Sequence, residues 1–122
     1  MRLKRTRVYL ITLGLLVFAA GLAEAGVIEE WARRYNGPAN YSDYANAIAI
    51  DSSGNIYVTG SRYDSETGRD FTTIKYGSDG NQIWVRPYNG PGSGSDYANA
   101  IAVDSSGYIY VTGPSTDRKS VV

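Results

Sequence analysis

The chain contains a long segment that occurs twice, and this duplication restricts its fold more than any other feature. Residues 31–60 and 84–113 align without a gap at a spacing of 53 residues, and 23 of the 30 aligned positions are identical. A duplication of this length predicts two copies of one structural unit. Repeats spaced by a few tens of residues are typical of solenoids and propellers, in which each unit packs against its neighbours.

Each unit alternates short runs of β-forming residues with turn residues. Val, Ile, Tyr and Thr dominate the runs, whereas Gly, Asn, Asp and Ser dominate the gaps, which is typical of strands joined by tight turns. The sequence of the complete unit predicts four strands, at residues 45–50, 56–61, 70–76 and 82–88, and a polar loop at 62–69. Pro87 lacks a backbone donor, so the fourth strand is predicted to be the outer edge of its sheet.

Side chains alternate along a strand, so the first of these strands carries Ala45, Ala47 and Ala49 on one face. Its other face carries Asn46, Ile48 and Ile50. Both faces are largely apolar, so we expect neighbouring sheets to cover both. Four antiparallel strands in a repeat of this length indicate the blade of a β-propeller. A β-solenoid is the structural alternative, although its coils are usually shorter.

The first 25 residues have the organisation of a secretory signal peptide. Residues 1–7 carry four positive charges, residues 8–22 carry no charge and are mostly apolar, and Ala23-Glu24-Ala25 forms a small-residue cleavage site. The apolar run is short for a permanent membrane helix, which needs about 20 residues. An uncleaved membrane anchor is the alternative, whereas a cleaved signal predicts only transient contact with the membrane.

The remaining composition excludes several classes of protein. The chain has no Cys and no His, so disulfide frameworks, thiolate or imidazole zinc sites and histidine-dependent triads are excluded. Without residues 1–25 it would carry eight basic against eleven acidic side chains. A mildly acidic chain without a basic cluster is not expected to bind nucleic acid.

The duplicated segment resembles a known repeat family. The sequence Asp-Tyr-Ala-Asn-Ala-Ile-Ala-Ile/Val-Asp-Ser-Ser-Gly-x-Ile-Tyr-Val-Thr-Gly at residues 43–60 and 96–113 is similar to the SBBP repeat. The link at residues 76–84 also resembles that family. The resemblance implies exported, often cell-surface bacterial proteins that build seven-bladed β-propellers from many tandem copies. It implies no catalytic residues.

The predicted fold is therefore all-β, with four-stranded antiparallel blades of a β-propeller preceded by a helical signal peptide. Under two blades are present, whereas a closed ring typically contains 4 to 8. The predicted organisation is a signal peptide at 1–25, the outer strand of a preceding blade at 26–36, a complete blade at 37–89, and the first half of a next blade at 90–122. We expect either a fragment of a longer product, which we favour, or a chain that assembles with itself.

Two groups of acidic residues are weak candidates for a calcium site, because calcium prefers carboxylate and carbonyl oxygens. Asp51 and Asp104 occupy the same turn position in the two units, and Asp64, Glu66 and Asp70 cluster in the loop after the second strand. Turn aspartates more commonly accept hydrogen bonds from their own backbone, and the loop cluster is more commonly a solvated loop. Apart from calcium at these acidic groups, no cofactor is predicted, and no catalytic residue is predicted.

Aromatic side chains recur at the predicted outer strands. Trp31 and Tyr35 in one unit match Trp84 and Tyr88 in the next. Such residues can stack on sugars or protein partners, or they can pack between blades, and we favour packing.

The function that best fits these features is a binding or structural scaffold, formed by a non-catalytic propeller segment of an exported protein. We expect the protein to be secreted or at the cell surface, with the periplasm as a further option. Its predicted partners are further blades of the same product, copies of itself, or an extracellular protein or glycan. The alternative is part of an enzyme propeller, such as a hydrolase, lyase or quinoprotein, whose active centre lies in other blades. Fold alone does not separate these functions.

Overall fold

The described part of the chain is built from β-strands and contains no helix. The computed structural model describes residues 2–8, 27–92 and 94–116. Its eight strands are β1 (Arg2–Val8), β2 (Val27–Arg34), β3 (Tyr44–Ile50), β4 (Ile56–Asp64), β5 (Gly68–Tyr76), β6 (Gln82–Tyr88), β7 (Ala100–Val103) and β8 (Ile109–Thr112). Within these ranges no helix is long and apolar enough to cross a membrane.

The complete repeat unit forms one four-stranded antiparallel sheet, with the strand order β3-β4-β5-β6. This confirms the predicted all-β, four-stranded blade. The fourth strand, β6, lies at an edge of the sheet, as Pro87 predicted. The start of the second unit forms a two-stranded sheet, β7-β8, extended by a bridge between Asp96 and Ser115.

The prediction of a polar loop at 62–69 is mostly wrong. Strand β4 continues to Asp64 and β5 begins at Gly68, so only the short turn at residues 65–67 remains between them. Arg62 pairs with Asp70 and Tyr63 pairs with Arg69 across this hairpin. The ladder extends into polar sequence because strand pairing needs backbone groups and not apolar side chains.

The predicted covering of both faces of the first strand is also wrong. In β3, Ile48 is 53% exposed and Ile50 is 64% exposed. This strand is the other edge of the sheet, and β7 packs against only part of it. A bulge between Ala45 and Ala47 also interrupts the simple alternation of side chains.

The core of the complete blade lies on one face of its two central strands. Ile56 and Val58 of β4 and Ile74 and Tyr76 of β5 are at most 5% exposed and form one cluster. Side chains from β1, β2 and β6 pack against this cluster. Burial of these β-branched and aromatic side chains supplies the main driving force for the sheet.

Strand β2 is the repeat counterpart of β6, and its assignment to the outer strand of a preceding blade remains a prediction. Trp31 of β2 pairs with Arg5 of β1, just as its repeat equivalent Trp84 pairs with Lys75 of β5. The bulge follows immediately in both pairs, after Arg5 and after Lys75. The domain boundaries drawn from the sequence remain predictions.

The predicted helical signal peptide falls mostly outside the described residues. Residue 1 and residues 9–26 are not described, and Arg2–Val8 is a strand paired with β2. The predicted cleavage after Ala25 remains a prediction. Residues 117–122, at the end of the predicted half-blade, also lie outside the described part.

Candidate functional site

The turn aspartates predicted as calcium candidates hold the same structure in both units. Asp51 Oδ1 accepts hydrogen bonds from the backbone amides of Ser53 and Asn55, each at 2.9 Å. Its Oδ2 accepts from Asn55 Nδ2 at 2.8 Å and from the Tyr57 hydroxyl at 3.0 Å. Each carboxylate oxygen therefore already serves the turn that carries it.

Asp104 repeats three of these four contacts at the equivalent position, where Tyr108 replaces Asn55. Its Oδ1 accepts from the backbone amides of Ser106 and Tyr108 at 2.9 Å, and its Oδ2 accepts from the Tyr110 hydroxyl at 3.1 Å. The glycine that closes the turn, Gly107, has a φ of 84°. This left-handed conformation is easily adopted by glycine, so the repeated Asp-Ser-Ser-Gly sequence specifies the turn.

Hydrogen bonding stabilises the ionised form of Asp51. The amide side chain of Asn55 is the largest influence that lowers the pKa of this carboxyl, and the backbone amides of Asn55 and Ser53 act in the same direction. Among the described residues, no group of three or more acidic side chains is arranged to hold a metal ion. Calcium binding at Asp51 and Asp104 therefore remains a prediction that rests on the sequence alone.

The second acidic group lies at the hairpin between β4 and β5, and its members face different partners. Asp64 Oδ1 accepts from the Glu66 backbone amide at 2.9 Å, and its Oδ2 lies 3.7 Å from Arg62 Nη2. Asp70 Oδ2 accepts from Thr67 Oγ1 at 2.8 Å. Glu66 is exposed, whereas Asp70 is 3% exposed.

Asp70 is the one carboxyl in this group with an unusual environment. Burial raises its pKa, against the opposing effects of the Thr67 hydrogen bond and the Arg62 charge. Asp70 Oδ1 and the neighbouring Arg62 Nε are buried without a hydrogen-bond partner. A buried acid with a raised pKa is a common feature of functional sites, but it also occurs in structural networks.

The predicted aromatic candidates divide between packing and exposure. Trp31 packs against Tyr76, with ring centroids 6.2 Å apart, and covers the turn at Gly80, where a Cβ would lie 2.6 Å from the indole. Tyr35 packs against the same apolar cluster. These two side chains therefore join β2 to the next sheet.

The equivalent pair on β6 is less enclosed. Trp84 is half-buried beside Tyr57, with ring centroids 6.1 Å apart, and Tyr88 is 56% exposed beside Phe71. A cleft of about 480 Å³ lies between this surface and the second unit, and its lining includes Arg86 and Val111. Of the four predicted aromatics, Tyr88 is the most accessible to a ligand.

The residues that join one unit to the next were not identified from the sequence. Asn46 Nδ2 donates a hydrogen bond to the Ala98 carbonyl at 2.8 Å, and the Asp96 amide donates to the Arg69 carbonyl at 2.6 Å. Asp96 and Ala98 are fully buried. Asn46 and Asp96 have identical counterparts in the other unit, Asn99 and Asp43, and this identity was the available signal.

Asp43 and Asp96 also perform one repeated task within their units. Asp43 Oδ2 accepts a hydrogen bond from the Gly37 amide at 2.6 Å, and Asp96 Oδ2 accepts from the Gly90 amide at 2.8 Å. Each aspartate thereby fixes the loop that leads from the preceding outer strand into the unit. Asp96 additionally binds the Ser115 hydroxyl.

A four-stranded antiparallel sheet that docks on the first two strands of a repeated unit is typical of a β-propeller repeat protein. Comparison with known families agrees, since the SBBP family, described as a beta-propeller repeat, matches residues 30–61 and 83–117. The chain belongs to the SBBP β-propeller repeat family. The first matched span begins in β2 and ends within β4. The second begins in β6 and includes β7 and β8. A search of curated proteins found no match.

Proposed function

We propose that the chain is a non-catalytic segment of an exported β-propeller, which serves as a structural and binding scaffold outside the cytosol. The observation that carries this proposal is the docking of one repeat unit on the next. The Asn46 to Ala98 and Asp96 to Arg69 hydrogen bonds end on main-chain carbonyls across the units, so they depend little on the ligand-facing side chains. A scaffold built in this way tolerates variation of its exposed residues.

Exposed aromatic side chains support a binding role. Tyr41 is 65% exposed and meets Tyr63 edge-on, with ring centroids 4.9 Å apart. Tyr44 is 52% exposed, and the Arg69 guanidinium lies 4.8 Å from its ring centroid. Tyrosines of this kind offer a stacking face and a hydroxyl, which suits a glycan or a protein surface.

The charged start, apolar run and small-residue site at residues 1–25 support export. We expect the exported protein to begin at Gly26, and therefore to lack β1, because cleavage follows the small residue Ala25. N-terminal sequencing of protein recovered from outside the cytosol checks this. Replacing Ala23 and Ala25 by bulky residues should leave the leader attached. Recovery of exported protein that still begins at Met1 would contradict the cleaved signal.

Binding without turnover is the expected behaviour of the scaffold. We expect the chain to bind oligosaccharides displayed on an array without changing them. The substitution Tyr88→Ala should weaken this binding by about fivefold, since an aromatic contact contributes roughly 1 kcal/mol. Tyr108→Ala is the matched control, because Tyr108 is 68% exposed but does not line the cleft beside Tyr88. Turnover that is abolished by Asp70→Asn and retained in Asp79→Asn would instead favour the enzyme alternative.

A further inference from the structure

The contact between the two units uses residues that the repeat places in both of them. In the described structure Asn46 of the first unit binds the Ala98 carbonyl of the second unit. The repeat spacing makes Asn99 the counterpart of Asn46, and Ala45 the counterpart of Ala98. Each unit therefore carries both halves of the same contact, and only one Asn–Ala pair can meet within the two described units.

The two counterparts that do not meet, Ala45 and Asn99, are both exposed among the described residues. Ala98 is fully buried, whereas Ala45 is exposed. Asp96 is likewise fully buried, whereas its counterpart Asp43 is only half-buried. Asn99 is exposed, as is its counterpart Asn46. The differences within the Ala and Asp pairs follow the position of the unit and not residue type, because the residues compared are identical.

We propose that a second copy of this chain docks head-to-tail on the β7-β8 sheet, with Asn99 of one copy bound to the Ala45 carbonyl of the other. The occupant is a copy of this chain because the surface offered at one end is the surface already buried at the internal contact. This docking continues an interface that the fold contains. It goes beyond the proposed function and requires neither export nor ligand binding.

The proposed contact is heterologous, since it joins different surfaces of the two copies. Such contacts form a closed ring when the rotation between successive units returns to the start, and an open array when it does not. Propeller sheets are related by such a rotation, and rings typically contain 4 to 8 of them. We therefore expect small closed assemblies in preference to unlimited fibres.

The oligomeric state of the full chain tests the proposal. We expect the molar mass from sedimentation to rise with protein concentration to a limiting value. Asn99→Ala should weaken association by about tenfold, because it leaves a buried carbonyl without its donor. Ala45→Arg should abolish association, because the new side chain occupies the contact surface. Asn89→Ala and Ser52→Arg, at exposed loop positions, are the matched controls and should leave association unchanged.

Chemical cross-linking provides a second readout that does not depend on the strength of association. The chain has no cysteine, so two single variants can be mixed and joined by a short bismaleimide. Ala45→Cys mixed with Asn99→Cys should give a covalent pair, whereas Ala45→Cys mixed with Asn89→Cys should not. A chain that stays monomeric at its highest soluble concentration would overturn the proposal. So would association, or cross-linking, that is the same in the test and control variants.

Discussion

Asp96→Ala is expected to lower the free energy of unfolding by about 3 kcal/mol, because a buried and a part-buried hydrogen bond to one carboxylate are lost together. The exposed fraction of Asp96 is zero, and its carboxylate binds the Gly90 amide and the Ser115 hydroxyl. Alanine leaves the buried Gly90 amide unsatisfied, whereas water can replace the lost partner of the exposed Ser115 hydroxyl. Chemical denaturation followed by tryptophan fluorescence measures the loss.

The repeat supplies a matched control for this substitution. Asp43→Ala removes the same side chain from the equivalent position, where the carboxylate binds the Gly37 amide but is only half-buried. We expect a smaller loss of about 1.5 kcal/mol, because water partly replaces the lost partner. Asp96→Asn, which keeps one acceptor oxygen, should recover part of the stability lost in Asp96→Ala. Equal losses at Asp96 and Asp43 would show that the second unit does not bury Asp96 against the first.

Gly60→Ala is expected to destabilise the complete blade by about 3 kcal/mol, because no space exists for a methyl group there. A Cβ at Gly60 would lie 1.8 Å from the Tyr44 carbonyl oxygen, which belongs to the neighbouring backbone and has no flexible end that can move aside. The bulge between Ala45 and Ala47 accompanies this close approach. Gly113 stands in the same relation to the Tyr97 carbonyl in the second unit, also at 1.8 Å.

Gly107→Ala is the control for the general cost of replacing a glycine. Gly107 has a φ of 84°, but a Cβ added there would have no other atom within 4 Å. We expect a loss of about 1 kcal/mol from the left-handed conformation alone. Denaturation of both variants under the same conditions compares the two costs. A loss at Gly60 no greater than the loss at Gly107 would contradict the close approach of β3 to β4.

The strand positions were predictable because they depend on local chemistry. The Asp-Ser-Ser-Gly turn is fixed by the hydrogen bonds of its own aspartate, and the β-forming run that follows it becomes β4. Pro87 located the sheet edge because a missing amide donor excludes a central position. These features need no knowledge of distant residues.

The contacts between the units were not predictable from alternation or turn signals. Asn46 lies at a bulge, so its side chain cannot be placed by counting residues along a strand. Its partner is a carbonyl 52 positions away, and such a bond depends on how two sheets meet. The burial of Asp96 has the same origin, since an identical residue at Asp43 is half-exposed.

The candidate site shows the same division. The turn roles of Asp51 and Asp104 follow from sequence spacing, and the structure reproduces them in both units. The unusual environment of Asp70 does not follow from sequence spacing, because its burial arises from the β4-β5 hairpin, which extends through the predicted loop. Sequence identity between the copies could have indicated Asp43 and Asp96, but not the contacts they make.

Hydrogen exchange at the Asp96 amide tests most directly the central claim that successive repeat units dock on one another. This amide donates to the Arg69 carbonyl across the two units and belongs to a fully buried residue. We predict slow exchange in the unmodified chain, and faster exchange in Asn46→Ala, which removes the neighbouring bond to Ala98. If the Asp96 amide instead exchanges as fast as an exposed loop amide in the unmodified chain, the two units do not dock and the central claim is wrong.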